Sequence, residues 1–480
     1  MITVGTTDKV TSYDPAKGYS SADVEVMTSV YQGLLYTPPG GNKPVPQLAK
    51  SCSFSNPTTY QCTLRSGIKF SNGQPLTSAD VKFSFDRELK INDPDSGSYL
   101  LAPLKSVDAP SPTTVTFNLK QPTATWPFVL SSPPALIVPK SYPADGIQAD
   151  GKVIGSGPYK VAKYVASQQV TLVPNSNYSG PRPANRGITI IYYQTPSTMS
   201  TALRSGEIDS LIAWRSLAPT DLQGLQSDSK LSLIQVPGLD ARFLDFNLKA
   251  APVNNLAVRK AMAFLVDRGA IAKQVFNNTV EPLYSIVSQG VSGATKPFES
   301  LYGQAPDKAK AAAVLQAAHV KTPVSLTLWY TPSHYGSTSS DEYTEISREL
   351  NASGLFSVKV KSTEYEQYQN QINADAFQAF QTGWYPDYAD ADNFLAGMLG
   401  GGWKNNYSDK TGLGLIAKEE GDLSSSARTQ ELEQLQTLAA QQVAAIPIYQ
   451  TNYTIVADKS ITGIKQSLNP IFTIDFSQWK

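Results

Sequence analysis

Charge is scarce in this 480-residue chain: Asp, Glu, Lys and Arg together make up 17%, and 40 basic residues balance 40 acidic ones. Holding a phosphate backbone requires a basic excess, so nucleic acid is excluded as a partner. Histidine is nearly absent, with only His319 and His334, and cysteine is limited to Cys52 and Cys62. That inventory offers no His/Cys cluster for a metal, and neither histidine sits in a nucleophile–base context. No cofactor, metal or Ser-His-Asp chemistry is therefore expected. Nor does any stretch approach the ~18 consecutive apolar residues that span a bilayer as a helix. Met1 leads directly into ITVGTT, without the basic and apolar regions of an export signal; any such signal is expected to have been removed, with the protein periplasmic or at the cell surface and lipid-anchored through that removed N-terminal segment.

What is present fits a large, exported, multi-lobed protein. Apolar residues reach 41%, and the length predicts roughly three folding units. Ser, Thr, Asn, Gln and 24 Tyr supply polarity without charge. In SCSFSNPTTYQCTLR, the Asn56-Pro57 turn places Cys52 opposite Cys62 and Phe54 opposite Tyr60 if two strands pair symmetrically. Opposed cysteines can form a cross-strand disulfide, which implies an oxidising compartment; the alternative is two buried thiols.

Along the chain, the first strand is followed by SSADVEVMTSVYQGLL, which puts Val24, Met27, Tyr31 and Leu34 on one helical face behind a Ser20/Asp23 capping box. From about 41 to 150 the texture becomes short alternating runs such as Val115, Phe117 and Leu119, a β-rich subdomain. Within it, a turn at Asn72-Gly73 precedes a helix capped by Thr77 and Asp80 that presents Val81, Phe85 and Leu89. Beyond 151, GSGPYK, the strand GITIIYY, a helix Ser197 to Arg204 stopped by Gly206, and IDSLI form a βαβ-like unit. A strand at ARFLDFNL leads to a helix carrying Val258, Met262 and Leu265, and Asp267 caps the next one. The last segment, SITGIKQSLNPIFTIDFSQWK, reads as strand again. GSGPYK is not a phosphate loop, because it lacks the G-x-x-x-x-G-K-[ST] spacing.

Taken in order, YDPAKG, VYQGLLY, LRSGIKFSNGQPLTSADVKFSFDR, GSGPYK, ALRSGEID, LDFNLKAAPVNNLAVRKAMAFLVDR, GWYPDYADADNF and IPIY resemble the family-5 extracellular solute-binding proteins, the oligopeptide- and dipeptide-binding components of bacterial ABC importers. The resemblance covers nearly the whole chain. It implies an α/β, two-lobed periplasmic-binding-protein fold (type II, cluster C) with an extra β-rich subdomain in lobe I. Lobe I would comprise 1–40, 151–243 and 456–480, the subdomain 41–150, and lobe II 244–455, joined by two hinge strands. The implied partners are a peptide ligand and a membrane permease, for a monomeric extracytoplasmic protein with no catalysis of its own.

The most informative string is GWYPDYADADNF. Gly383 allows close approach of another backbone, Trp384 and Tyr385 offer stacking surface, and Pro386 stiffens the chain before Asp387. The resemblance implies that this stretch pairs with the peptide backbone and that Asp387 accepts the ligand's α-ammonium, a known mode of peptide capture. By the same matching, Tyr19, Ser21, Tyr99 and Trp214 are ligand-binding candidates. Some relatives carry an arginine two residues before the Gly-Trp to meet the ligand carboxylate; here Gln381 stands there, with Arg215 as a substitute. Asp390-Ala391-Asp392-Asn393 lacks the glycine and later Glu of a calcium loop. Oligosaccharide binding is the rival reading, with Trp214, Trp329, Trp384 and Trp403 as stacking platforms. An extracytoplasmic peptidase or glycosidase, the latter using paired carboxylates, and a membrane-partnered sensor are the other classes.

Overall fold

The computed structural model describes residues 1–213, 217–471 and 473–480. Its largest sheet runs, from one edge to the other, through strands Phe356–Ser362, Val324–Tyr330, Ala379–Trp384, Leu231–Phe246, Ala445–Asp458, Ser210–Ile212, Ile2–Thr6, Ile188–Tyr192, Gln169–Pro174 and Tyr159–Val165. Two of these are long, 16 and 14 residues, and they pair with each other antiparallel. Their register slips between Pro237 and Ala241. On one side of the slip, Tyr453 and Ile455 join a core built on Ile2, Val4 and Ile188. On the other side, Leu244, Phe246, Ile446 and Ile448 join a core with Met262, Leu328 and Tyr343. Two lobes thus hang on one strand pair, which is the only extended structure shared by both cores among the described residues.

In the first lobe, Ile188–Tyr192 and Ser210–Ile212 lie parallel to, and on either side of, Ile2–Thr6. The helix Pro196–Ser205 connects them; Thr195 caps its start by accepting from the Thr198 N–H, and Gly206 ends it at φ +76°. The helix Ser21–Val30 starts at the Ser20/Asp23 capping box. It stops earlier than the apolar pattern through Leu34 suggests, because the Val30 carbonyl is taken by the Gly157 N–H at 2.7 Å. A Cβ at Gly155 would stand 2.1 Å from that same oxygen. The glycines of GSGPYK therefore seat a helix end against a strand start.

A separate antiparallel sheet, in the order Ala49–Asn56, Thr59–Leu64, Thr114–Leu119, Leu104–Ser111, forms the subdomain. Cys52 pairs in register with Cys62 and is joined to it by a disulfide. Phe54 and Tyr60 face each other with ring centroids 4.7 Å apart. The helix Ser78–Ile91 covers this sheet through Val81 and Phe85, but Leu89 is 39% exposed and does not join the core. A step of four residues overshoots one turn by about 40°, so the stripe drifts; the buried flank on the other side is used by Arg87. Its Nη1 and Nη2 donate to the two oxygens of Asp14 at 2.8 and 2.5 Å, and its Nε to the Pro143 carbonyl at 2.7 Å. This buried fork bolts the subdomain onto the first lobe.

The C-terminal segment departs from its strand-like appearance. It contains the short helices Ile464–Ser467 and Phe476–Gln478 and a single bridge between Leu468 and Ile474. Its apolar residues follow no strand period, because each plugs the first-lobe core separately: Ile464, Leu468, Ile474, Phe476 and Trp479 are all buried there. Trp479 donates its indole N–H to Ser467 Oγ at 2.7 Å. Gly463, at φ +83°, supplies a backbone break that an extended strand has no use for. No helix among the described residues is long and apolar enough to cross a membrane.

Candidate functional site

Between the two lobes lies a cavity of about 1450 Å³, larger than the ~300–1,000 Å³ typical of small-molecule pockets. One wall is built from the first lobe and the subdomain, including Tyr19, Ser21 and Tyr99. Facing them from the second lobe are Ser333, His334, Tyr385, Pro386 and Asp387. Ser21 opens the helix Ser21–Val30, and Tyr99 sits in the short helix Gly97–Leu101. Ser, Thr and Tyr hydroxyls are frequent in the lining, and apart from His334 its aromatic side chains are tyrosines.

Asp387 is where the walls meet. Its Oδ1 accepts from the Tyr19 hydroxyl at 2.6 Å and from the Tyr99 hydroxyl at 2.5 Å. The two rings approach edge to face, centroids 6.2 Å apart. Burial, reinforced by the negative charge of Asp387, holds the Tyr19 phenol well above its ordinary pKa, and partial burial with the Asp387 carboxylate pushes the more exposed Tyr99 phenol in the same direction. Oδ2 accepts from the Asn393 carboxamide at 3.0 Å. Tyr385 crosses the gap as well, donating its hydroxyl to the Ile471 carbonyl at 2.8 Å.

The loop before Asp387 leaves a strand that lacks a second strand partner past Phe380 among the described residues, where the Gln381 carbonyl accepts instead from the Tyr368 hydroxyl at 2.9 Å. Ala379–Trp384 pairs with Leu231–Phe246 along its whole length, but with Val324–Tyr330 only at Ala379 and Phe380. After Phe380 that side has no strand partner among the described residues. Gly383 lies under the Tyr335 ring and beside Arg242: a Cβ there would be 3.0 Å from Tyr335 Cε1 and 2.7 Å from Arg242 Nη1. Trp384 turns into the second lobe, packed over Gly397 and edge-on to Trp403 at 5.2 Å, with its indole N–H on Asn393. Neither Gly383 nor Trp384 is among the residues lining the cavity. Trp214 and Arg215 lie outside the described residues.

Gln381 is fully buried, its amide donating to Glu342 at 3.0 Å and to Ser339 at 3.2 Å. Arg242 is buried too, paired to Asp240 at 2.5 Å and covered by the Tyr335 ring at 5.1 Å. Trp329 stacks on Phe377 at 4.3 Å, so Trp329, Trp384 and Trp403 are all engaged inside the second lobe and none faces the cavity.

The acidic run after Asp387 is also committed internally. Asp390 caps the helix Ala391–Leu399 and is gripped by Arg428, whose two Nη groups donate at 2.9 and 2.6 Å. Asp392 accepts from the Tyr388 hydroxyl at 3.1 Å and faces Glu419. Burial raises the pKa of both Asp392 and Glu419; the Asp392 charge adds to the rise at Glu419, whereas the hydrogen bond from Glu419 opposes it at Asp392, so the pair retains a proton. Tyr388 itself plugs the subdomain core beside Phe128, ring centroids 5.8 Å apart. Tyr388, Asn393 and Arg428 were not singled out as site residues by the sequence; a helix cap two residues after an aromatic was the available signal.

Comparison with known proteins places these observations in a wider set. The family model described as bacterial extracellular solute-binding proteins, family 5 Middle, matches residues 43–406. The chain is 26% identical over 499 residues to the probable D,D-dipeptide-binding periplasmic protein DdpA of Escherichia coli (strain K12), covering 99% of this chain and 93% of that protein. Among solved structures, HbpA2 from Haemophilus parasuis superposes with a TM-score of 0.88 at 20% identity, over 100% of this chain and 99% of the other. The ABC transporter-associated periplasmic binding protein DppA from Helicobacter pylori, in complex with the peptide STSA, gives a TM-score of 0.77 at 19% identity, over 99% and 96%.

Proposed function

The chain belongs to the bacterial extracellular solute-binding proteins of family 5, and from that premise we propose that it captures oligopeptides in the interlobe cavity for an ABC importer. Membership makes it a binding protein and not an enzyme, and its fold is the two-lobed α/β periplasmic-binding-protein fold with an additional antiparallel sheet. The observation that carries the peptide reading is the position of Asp387: a carboxylate on the second lobe, at the cavity, opposite two hydroxyls from the first lobe and subdomain. A carboxylate so placed suits an α-ammonium, and the adjoining strand edge suits sequence-independent pairing with a peptide backbone.

Closure is the working step. A ligand resting on the first lobe gains its contacts with Asp387 and the strand edge only when the second lobe swings in, so it favours the closed state by that difference. The strand pair Leu231–Phe246 and Ala445–Asp458 is the hinge, and the closed outline is what a permease recognises. Micromolar affinity corresponds to about 8 kcal/mol, within reach of backbone pairing, one charge-assisted contact and tyrosine burial. Half-buried Trp329, Trp384 and Trp403 pack against Phe377 and one another outside the cavity lining, which favours the peptide reading over an oligosaccharide one. Mass spectrometry of ligand co-purified from the native host tests the reading: peptides with free amino termini support it, and glycans alone contradict it.

A further inference from the structure

We infer that Asn393 is the positioning residue that decides which oxygen of Asp387 meets a ligand's ammonium, an inference that rests on the reading of Asp387 as the ammonium acceptor. Asn393 is 7% exposed and stands on the first turn of the helix Ala391–Leu399. Its place is fixed from behind, because Asp390 caps that helix while held by both Nη groups of Arg428.

The carboxamide is engaged at both ends. Oδ1 accepts from the Asp387 backbone N–H and from the Trp384 indole N–H, each at 3.0 Å. Nδ2 donates to Asp387 Oδ2 at 3.0 Å. The amide orientation follows from these partners: rotated by half a turn, it would set donor against two donors and oxygen against oxygen. Main chain and carboxylate of Asp387 are thus clamped by one side chain, and Trp384 is locked to the same point. The clamp turns Oδ2 toward the second lobe and Oδ1 toward the cavity, where Tyr19 and Tyr99 both donate to it. An ammonium entering from the cavity meets Oδ1 by taking the place of one of these donors. Tyr99, 56% exposed, is the donor free to give way, whereas half-buried Tyr19 remains.

This assigns Asn393 a role that ordinary packing does not have: it shapes selectivity for a positive nitrogen, not merely affinity. The test compares tetra-alanine with its lactoyl-trialanine counterpart, in which a hydroxyl replaces the ammonium, by titration calorimetry. The readout is the ratio of the two dissociation constants. Asn393→Leu keeps the volume but offers neither an acceptor to the two N–H groups nor a donor to Oδ2, and the ratio is expected to fall about tenfold or more. Asn393→Ala, which removes the clamp with less bulk, moves the ratio in the same direction and covers the case in which the Leu variant folds poorly. A merely structural residue would weaken both ligands alike, so an unchanged ratio in both variants overturns the inference. Asp387→Asn separates the two levels. If it abolishes the preference while the Asn393 variants do not, only the positioning role falls; if it leaves the preference intact, or if the unaltered protein has none, the ammonium reading falls with it.

Discussion

Tyr19 and Asp387 are 368 residues apart in sequence, yet the phenol of one donates to the carboxylate of the other at 2.6 Å across the interlobe cavity. With Tyr99 on the same oxygen, the second lobe is tied to both the first lobe and the subdomain by groups that also line the cavity. Hydrogen bonds to a charged group are worth roughly 1.5–3 kcal/mol each. The double variant Tyr19→Phe, Tyr99→Phe is expected to shift the ligand-free protein toward an open form, seen as a larger radius of gyration in small-angle scattering. An unchanged scattering profile would show that the ties do not hold closure.

Arg87 and Asp14 form a buried fork between subdomain and first lobe, both side chains at most 2% exposed. Removing one partner of such a pair strands the other charge, at a typical cost of 3–5 kcal/mol. Arg87→Ala should lower unfolding stability by about that amount in urea titrations. Because Arg87 lies outside the cavity lining, whatever folded fraction remains should bind ligand normally.

Asp245 supplies a pH test. Burial pushes its carboxyl up to about 7, against lesser opposition from Trp403, the Phe246 N–H and Thr382. A folded-state pKa raised above the unfolded value of about 3.9 means that the native state holds the proton longer. The stabilising contribution is complete below pH 4 and is lost as pH rises through 7. Asp245→Asn should therefore gain on the unaltered protein between pH 4 and 7, at up to about 1.4 kcal/mol per pH unit. A stability difference independent of pH over that window would contradict the assignment.

Much of this architecture was legible in the chain because local signals and tertiary roles coincide. Ser20 with Asp23, Thr77 with Asp80, and Asp267 all cap helices as their spacing implies. Cys52–Cys62 and Phe54–Tyr60 pair as the Asn56-Pro57 turn requires. The departures have separate causes. The apolar residues of the C-terminal segment read as a strand although no partner strand exists among the described residues; Ile464, Leu468 and Ile474 each drop separately into a core formed by distant segments. Leu89 lies past the edge of the buried stripe, because steps of four residues overshoot the turn and Val81, Ser84, Phe85 and Glu88 already fill the covered face. At the site, the string from Gly383 to Asn393 stood out, but the inward turn of Trp384 depends on Gly397 and Trp403, which no spacing rule connects.

The most direct test concerns Asp387. Titration calorimetry of Asp387→Ala with a free-amine peptide, set beside the unaltered protein with the same peptide N-acetylated, isolates the ammonium–carboxylate contact. Loss of about 2–5 kcal/mol in both comparisons is the predicted result. Full affinity retained by the variant, or by the acetylated peptide, would contradict the account.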